Sequence, residues 1–262
     1  MDPTSPPPPP RLTMITAALN PGPEVRDTLL SILSQGYPNL QMIFVDGGSR
    51  PECFAHVEPF LPQVDLLIRE PDRGISDAWN KALARAEGDI VGILNADDHL
   101  LPGALNEVVA GFAAHPGVEI VHGNAQRIDG SRHSVRRPWP WPRWTVRIGT
   151  PVVHPATFVA RSLYQRIGGF DLRWRVAMDY DFMLRALRAG AQLQHIDVEL
   201  VVFRGGGLSD REPLRGFREV RECQLEQGLG RVGVELLHRA KMFVRGVVRP
   251  RLDRWRRGSG PA

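Results

Sequence analysis

The alternation of short apolar runs with helical patterns predicts an α/β protein, one sheet with helices on its faces. Three observations carry that expectation. Strand-like runs recur at residues 12–18, 41–45, 64–69 and 90–94; segments with apolar residues three and four apart lie between them; and glycine, proline or aspartate marks most junctions.

Residues 12–18 read as the first strand, and 24–35 as a helix whose apolar side is Leu29, Leu30, Ile32 and Leu33. Residues 41–45 make a second strand, closed by Asp46-Gly47-Gly48-Ser49, and 64–69 a third. Ser76 is placed to cap a helix carrying Ala78, Trp79, Ala82, Leu83 and Ala86, stopped by Gly88. Residues 90–94 form a fourth strand, and a further helix follows Pro102. Asp179 and Asp181 open a helix in which Phe182, Leu184 and Leu187 face the core, and 198–203 is a late apolar strand before Arg204. No internal repeat is visible.

A chain of 262 residues can bury a full core, and 42% hydrophobic with 24% charged residues is ordinary for a soluble globular protein. Cys53 and Cys223 have no paired spacing, so neither a disulfide framework nor a zinc site is expected and a reducing compartment is the default. No apolar stretch approaches the roughly 20 residues a membrane span needs. Residues 1–10 are proline-rich, lack the apolar centre of a signal peptide, and read as a disordered leader.

Charge is concentrated at one end. Between Arg239 and Arg257 eight Lys or Arg stand against Asp253, while the whole chain is only +4, so the remainder is net negative. Leu236, Ala240, Phe243 and Val247 recur there at helical spacing, which suits a basic amphipathic helix lying on an anionic membrane surface. A docked helix with a solvated basic tail is the alternative. Nucleic acid is not an expected partner, because no recognition motif accompanies the charge.

The most informative residues are Asp97 and Asp98, just beyond the fourth strand. Two anions held side by side at a strand end repel unless a cation neutralises them, and oxygen ligands there suit Mg2+ or Mn2+ bridging to phosphates. A helix cap would use the same residues. In open α/β sheets the carboxyl edge of the strands is where ligands bind, and Asp46 ends the second strand at that edge. Its carboxylate could accept hydrogen bonds from a ribose or a base, or simply belong to a turn. Arg73 stands before a helix start, where the two together could hold a diphosphate.

A second group lies further on. Asp179 and Asp181 point roughly 200° apart on one helix, so one can serve a cleft while the other packs; Asp179, near the helix start, is the candidate proton acceptor. His154 could ligate a metal or contact a diphosphate, or be a structural histidine before Pro155. Arg204 precedes Gly205-Gly206-Gly207, a loop that could close over phosphates or merely connect. The segment from Trp139 to Trp144 could stack on acceptor sugars or anchor a proline-stiffened loop.

The succession Thr16-Ala17-Ala18-Leu19-Asn20, Val45-Asp46-Gly47-Gly48-Ser49, Asp72 to Lys81, Leu94 to Asp98, His154 to Phe158, Gly168 to Asp171 and Asp179 to Asp181 resembles the family 2 glycosyltransferases of the GT-A fold. The bacterial members that build cell-surface polysaccharides are the nearest in pattern. The resemblance spans about residues 11–210 and implies a glycosyltransferase domain there, a Rossmann-like mixed sheet flanked by helices. A C-terminal helical extension with a basic tail would follow over 211–262. It implies a nucleotide-sugar donor, UDP-linked by analogy, a glycan or lipid-linked acceptor, and Mn2+ or Mg2+ as cofactor. Donor-nucleotide contacts would come from Ala18, Asn20, Asp46, Arg73, Asn95, Asp97 and Arg204; the metal would lie on Asp98, with Asp97 and His154. Asp179 matches the family's general base in a single, inverting displacement. The expected location is cytoplasmic, peripheral on the inner face of the plasma membrane.

Two other classes share the acidic α/β pattern. A sugar-phosphate nucleotidyltransferase would show a Gly-rich basic loop after the first strand, where this chain has Asn20-Pro21-Gly22-Pro23-Glu24. A non-catalytic nucleotide-sugar-binding protein would not need both Asp98 and Asp179.

Overall fold

The computed structural model describes residues 8–140 and 142–244. Among the described residues nine strands form one mixed sheet: β1 (Leu12–Ala18), β2 (Leu40–Asp46), β3 (Leu66–Arg69), β4 (Ile90–Ile93), β5 (His99–Leu100), β6 (Ile120–Asp129), β7 (Arg132–Arg136), β8 (Thr157–Ala160) and β9 (Leu193–Arg204). Their order across the sheet is β3-β2-β1-β4-β8-β6-β9-β5, with β7 paired on β6. β1 to β4 run parallel; β8 then pairs antiparallel with both β4 and β6, and β9 lies parallel to β6.

Helices cover both faces: α1 (Val25–Leu33), α2 (Pro51–Phe54), α3 (Ile75–Leu83), α4 (Ala104–Ala114), α5 (Pro142–Thr145), α6 (Arg161–Ile167), α7 (Met178–Arg188), α8 (Leu208–Arg211), α9 (Pro213–Glu226) and α10 (Arg231–Phe243). Side chains alternate across a strand, so Leu12, Met14, Met42 and Phe44 pack toward α1 and α4, while Ile15, Ala17, Ile43 and Val45 pack toward α3 and α7. Both faces are buried, which is why the parallel strands read as continuous apolar runs.

Two expectations need adjustment. The helix after the third strand starts at Ile75, with Gly74 preceding it at φ +114°, and ends at Leu83, short of Gly88; Ser76 lies inside the first turn, buried. Gly88 instead lets the chain pass β1, since a Cβ there would stand 2.5 Å from the Thr13 backbone nitrogen. The C-terminal helices share the main core: Cys223 of α9 is fully buried in it, and Gln224 Nε2 donates to Tyr180 Oη at 2.9 Å. No described helix is long and apolar enough to cross a membrane. Of the expected leader, residues 1–7 lie outside the described residues, as do 245–262 of the basic tail.

Candidate active site

A cleft of about 800 Å³ opens across the carboxyl ends of β1 and β4. It gathers Ala18, Asn20, Asn95, Asp97, Asp98, His154, Asp179 and Arg204, which stand far apart in sequence. Asp46 and Arg73 do not line it. Asp46 is buried at the end of β2, where Arg69 Nε donates to its Oδ2 at 2.9 Å and the Ser49 N–H to its Oδ1 at 3.0 Å. Arg73 is exposed and turns to Asp77 at 3.1 Å.

At one end of the cleft the chain leaves β4 and turns. Asp98 is only 3% exposed. Its Oδ2 accepts from Asn95 Nδ2 at 2.9 Å and its Oδ1 from the backbone N–H of Arg204 at 3.2 Å. Burial, reinforced by the neighbouring Asp97 charge, pushes its carboxyl up to about 7. Asp97 is raised as well, chiefly by burial and also by Glu24, with Arg204 and Arg211 opposing. Asn20, the non-glycine residue at φ +51°, binds Ser49 through its own N–H and the Arg50 N–H through its side chain, so it links the ends of β1 and β2.

At the other end, α7 presents Asp179. The helical geometry separates the two acids as their spacing predicts: Asp181 is buried and paired with Arg185 Nε at 2.8 Å, while Asp179 lines the cleft. Tyr180 N–H donates to Asp179 Oδ1 at 2.7 Å. Burial raises the Asp179 carboxyl and lowers the His154 imidazole, each partly countered by the other's charge. His154 stacks on Trp79 with centroids 4.9 Å apart and lines the cleft together with Asp179. The start of α7 is fixed from α9: Glu219 Oε2 accepts from the N–H groups of Val176 and Ala177 at 2.7 and 2.9 Å.

Among the described residues no group of three or more His, Cys, Asp or Glu is arranged to hold a metal ion. The acid pair still suits a cation. A buried carboxyl that ionises reluctantly beside a second carboxyl gains most from a positive charge, and Mg2+ or Mn2+ on phosphates needs only one or two protein carboxylates.

Four arginines of the cleft escaped the sequence reading: Arg127, Arg136, Arg137 and Arg175. Three come from the β6–β7 hairpin and the residue after it. The two-residue Gly130-Ser131 turn, with Gly130 at φ +60°, is the signal that marks this hairpin.

Solved structures place the architecture. Residues 1–349 of S. aureus TarS, crystallised with UDP-GlcNAc, match with a TM-score of 0.69 at 16% identity, covering 90% of this chain and 76% of that one. The mannosyltransferase PcManGT from Pyrobaculum calidifontis, in complex with GDP-Man and Mn2+, matches with a TM-score of 0.66 at 23% identity, covering 90% and 70%. The fold is therefore that of the GT-A glycosyltransferases. Residues 13–177 match the model of glycosyl transferase family 2, and the chain belongs to that family. An uncharacterized glycosyltransferase of Mycobacterium tuberculosis is 31% identical over 217 residues, 81% of this chain and 82% of its own. A PGL/p-HBAD biosynthesis glycosyltransferase of the same species is 27% identical over 256 residues, 95% and 98%.

Proposed function

We propose that this glycosyltransferase moves a sugar from a nucleoside-diphosphate donor, a UDP-sugar in the first instance, to a hydroxyl of a glycan or lipid-linked acceptor in cell-surface polysaccharide biosynthesis, with inversion. The reading rests on one observation: the Asp97–Asp98 pair and Asp179 line the same cleft while standing in different environments.

Asp98, with Asp97, would hold Mn2+ or Mg2+ against the donor diphosphate. When bound, such a cation supplies Lewis-acid neutralisation of the charge that grows on the leaving nucleoside diphosphate. Arg204, beside Asp98, adds a second positive charge toward the phosphates, and Asn20 and Asn95 keep the surrounding turns in place. Asp179 takes the proton of the acceptor hydroxyl as its oxygen bonds to the anomeric carbon and the bond to the diphosphate breaks. A carboxylate made more basic by burial is a better acceptor for that proton. One displacement inverts the centre, so an α-linked donor gives a β-linked product. His154 is proposed as a positioning residue for Asp179 rather than as a metal ligand.

For residues 11–210 we propose the catalytic unit, and for 211–262 C-terminal helices that brace it together with a basic tail that reaches a membrane. The exposed Val232, Leu236, Phe243 and Val244, followed in sequence by the basic tail, support attachment to an anionic inner-membrane surface. Donor turnover with and without Mn2+, in the wild type and in Asp98→Asn, tests the reading: turnover should need the metal and fall by at least about 10²-fold in the variant. Unchanged metal-dependent turnover in Asp98→Asn rejects it.

A further inference from the structure

The cleft holds more positive charge than the donor reading uses. Arg127 is tied to Asp210 at 2.8 Å and Asp129 at 3.1 Å, and Arg175 to Glu212 at 3.3 Å. Arg136 and Arg137 are exposed on the cleft wall, and among the described residues neither has a carboxylate oxygen within 4.0 Å. Arg137 does stand close enough to Asp197 to help hold that carboxyl below its usual range. Arg136 pairs with Ala125 of β6.

Trp139, separated from Arg137 by Pro138, also lines the cleft. Its N–H donates to Pro151 O at 2.8 Å, which ties this wall to the segment leading into His154, on the Asp179 side. Its ring rests over Gly149, where a Cβ would meet Cη2 at 3.5 Å, yet the residue stays 43% exposed. An aromatic face beside two exposed guanidinium groups that form no close salt bridge suits a ligand with a ring and an attached anion.

Building on the proposed transferase, we infer that Arg136, Arg137 and Trp139 form the acceptor subsite, and that the acceptor carries a phosphate close to the ring it presents. The guanidinium forks take the phosphate oxygens and the indole face takes the ring, leaving the hydroxyl directed at Asp179. The arginines act on acceptor affinity and not on the donor diphosphate.

The test uses phenyl phosphate as probe, titrated calorimetrically into the full chain already saturated with Mn2+ and a mixture of UDP and GDP, so that the diphosphate end is filled. Wild type should bind it, and R136A/R137A should bind about 10- to 100-fold more weakly, the cost of losing charge-assisted hydrogen bonds. R136K/R137K should recover part of the loss, W139A should weaken binding less, and added salt should weaken the wild type. Glucose 1-phosphate and phosphatidylglycerol vesicles, compared on the same variants, separate a soluble from a lipid-borne phosphate; loss of either in R136A/R137A supports the subsite. Equal phenyl phosphate affinity in wild type and R136A/R137A, or equal uptake of the neutral phenyl glucoside, overturns it. Failure of Mn2+ and nucleotide to bind would instead strike the donor reading, and the phosphate titration would still judge the arginines.

Discussion

The backbone N–H of Arg204 donates to Asp98 Oδ1 at 3.2 Å, joining the end of β9 to the acidic turn after β4. The Gly205-Gly206-Gly207 run therefore begins at a residue anchored on the proposed cation site. Any change in the charge of Asp98 is felt directly by that loop.

The first prediction concerns pH. Asp98 titrates near 7 in the folded chain against 3.8 ordinarily, so the native state binds its proton more tightly than the unfolded one. Its contribution to stability therefore falls as pH rises from about 4 to 7, by at most roughly 4 kcal/mol at 1.36 kcal/mol per unit. Without metal, Asp98→Asn should melt higher than wild type at about pH 8 and equal it near pH 4. Stabilisation of the wild type by Mn2+ should grow over the same interval, because a protonated carboxyl competes with the cation. Thermal melts across pH with and without Mn2+ check both; a flat difference between variant and wild type contradicts the assignment.

A second prediction follows from Glu219, which sits under the start of α7. Its carboxyl is held below its usual range although burial pushes the other way, because Arg215 and the N–H groups of Val176 and Ala177 bind the charged form. That stability is present above about pH 4.5 and is lost on acidification through the lowered folded value. Glu219→Ala should cost about 2–4 kcal/mol by denaturant melt and should lower kcat more than the donor KM, since it loosens the helix that carries Asp179. An unaltered kcat would mean that α7 is positioned by other contacts.

Packing gives a third. Gly92 lies in the middle of β4, where a Cβ would stand 2.5 Å from Phe158 Cε1 and 2.7 Å from Met14 Sδ. Gly92→Ala should destabilise by about 1–3 kcal/mol, with neighbouring side chains forced aside. A melt within experimental error of wild type would show that the β4–β8 contact has slack.

The tail supplies a fourth. A chain ending at Val244 loses Arg245, Arg249, Arg251, Arg254, Arg256 and Arg257. At about 1 kcal/mol for each basic residue near an anionic surface, its affinity for phosphatidylglycerol vesicles should fall by at least about 10²-fold in a flotation assay. Vesicle binding that survives the truncation would remove the tail as anchor.

The half of the sheet made by β1 to β4 is legible in the sequence because each strand is local, parallel and apolar on both faces. Of the other half, only the apolar end of β9, residues 198–203, is. β6 carries His122, Asn124 and Gln126, β7 is exposed throughout, and the β4-β8-β6-β9 order joins segments far apart in the chain, so neither period nor composition announces it. The site divides in the same way. Asp97 and Asp98 stand out where an apolar run stops, and Asp179 where a helix begins. The ion pair that occupies Asp46, the stacking of His154 on Trp79 and the support from Glu219 depend on partners that only the tertiary structure brings together. The hairpin arginines have only the Gly130-Ser131 turn to announce them, because β7 is polar and exposed and shows no buried face.

The division of labour between the two acids is tested most directly by Asp179→Asn, with donor binding and sugar transfer measured on the same preparation. Calorimetry with Mn2+ should return wild-type donor affinity, while transfer to acceptor should drop by about 10²- to 10⁴-fold. Transfer at the wild-type rate in Asp179→Asn would contradict the account.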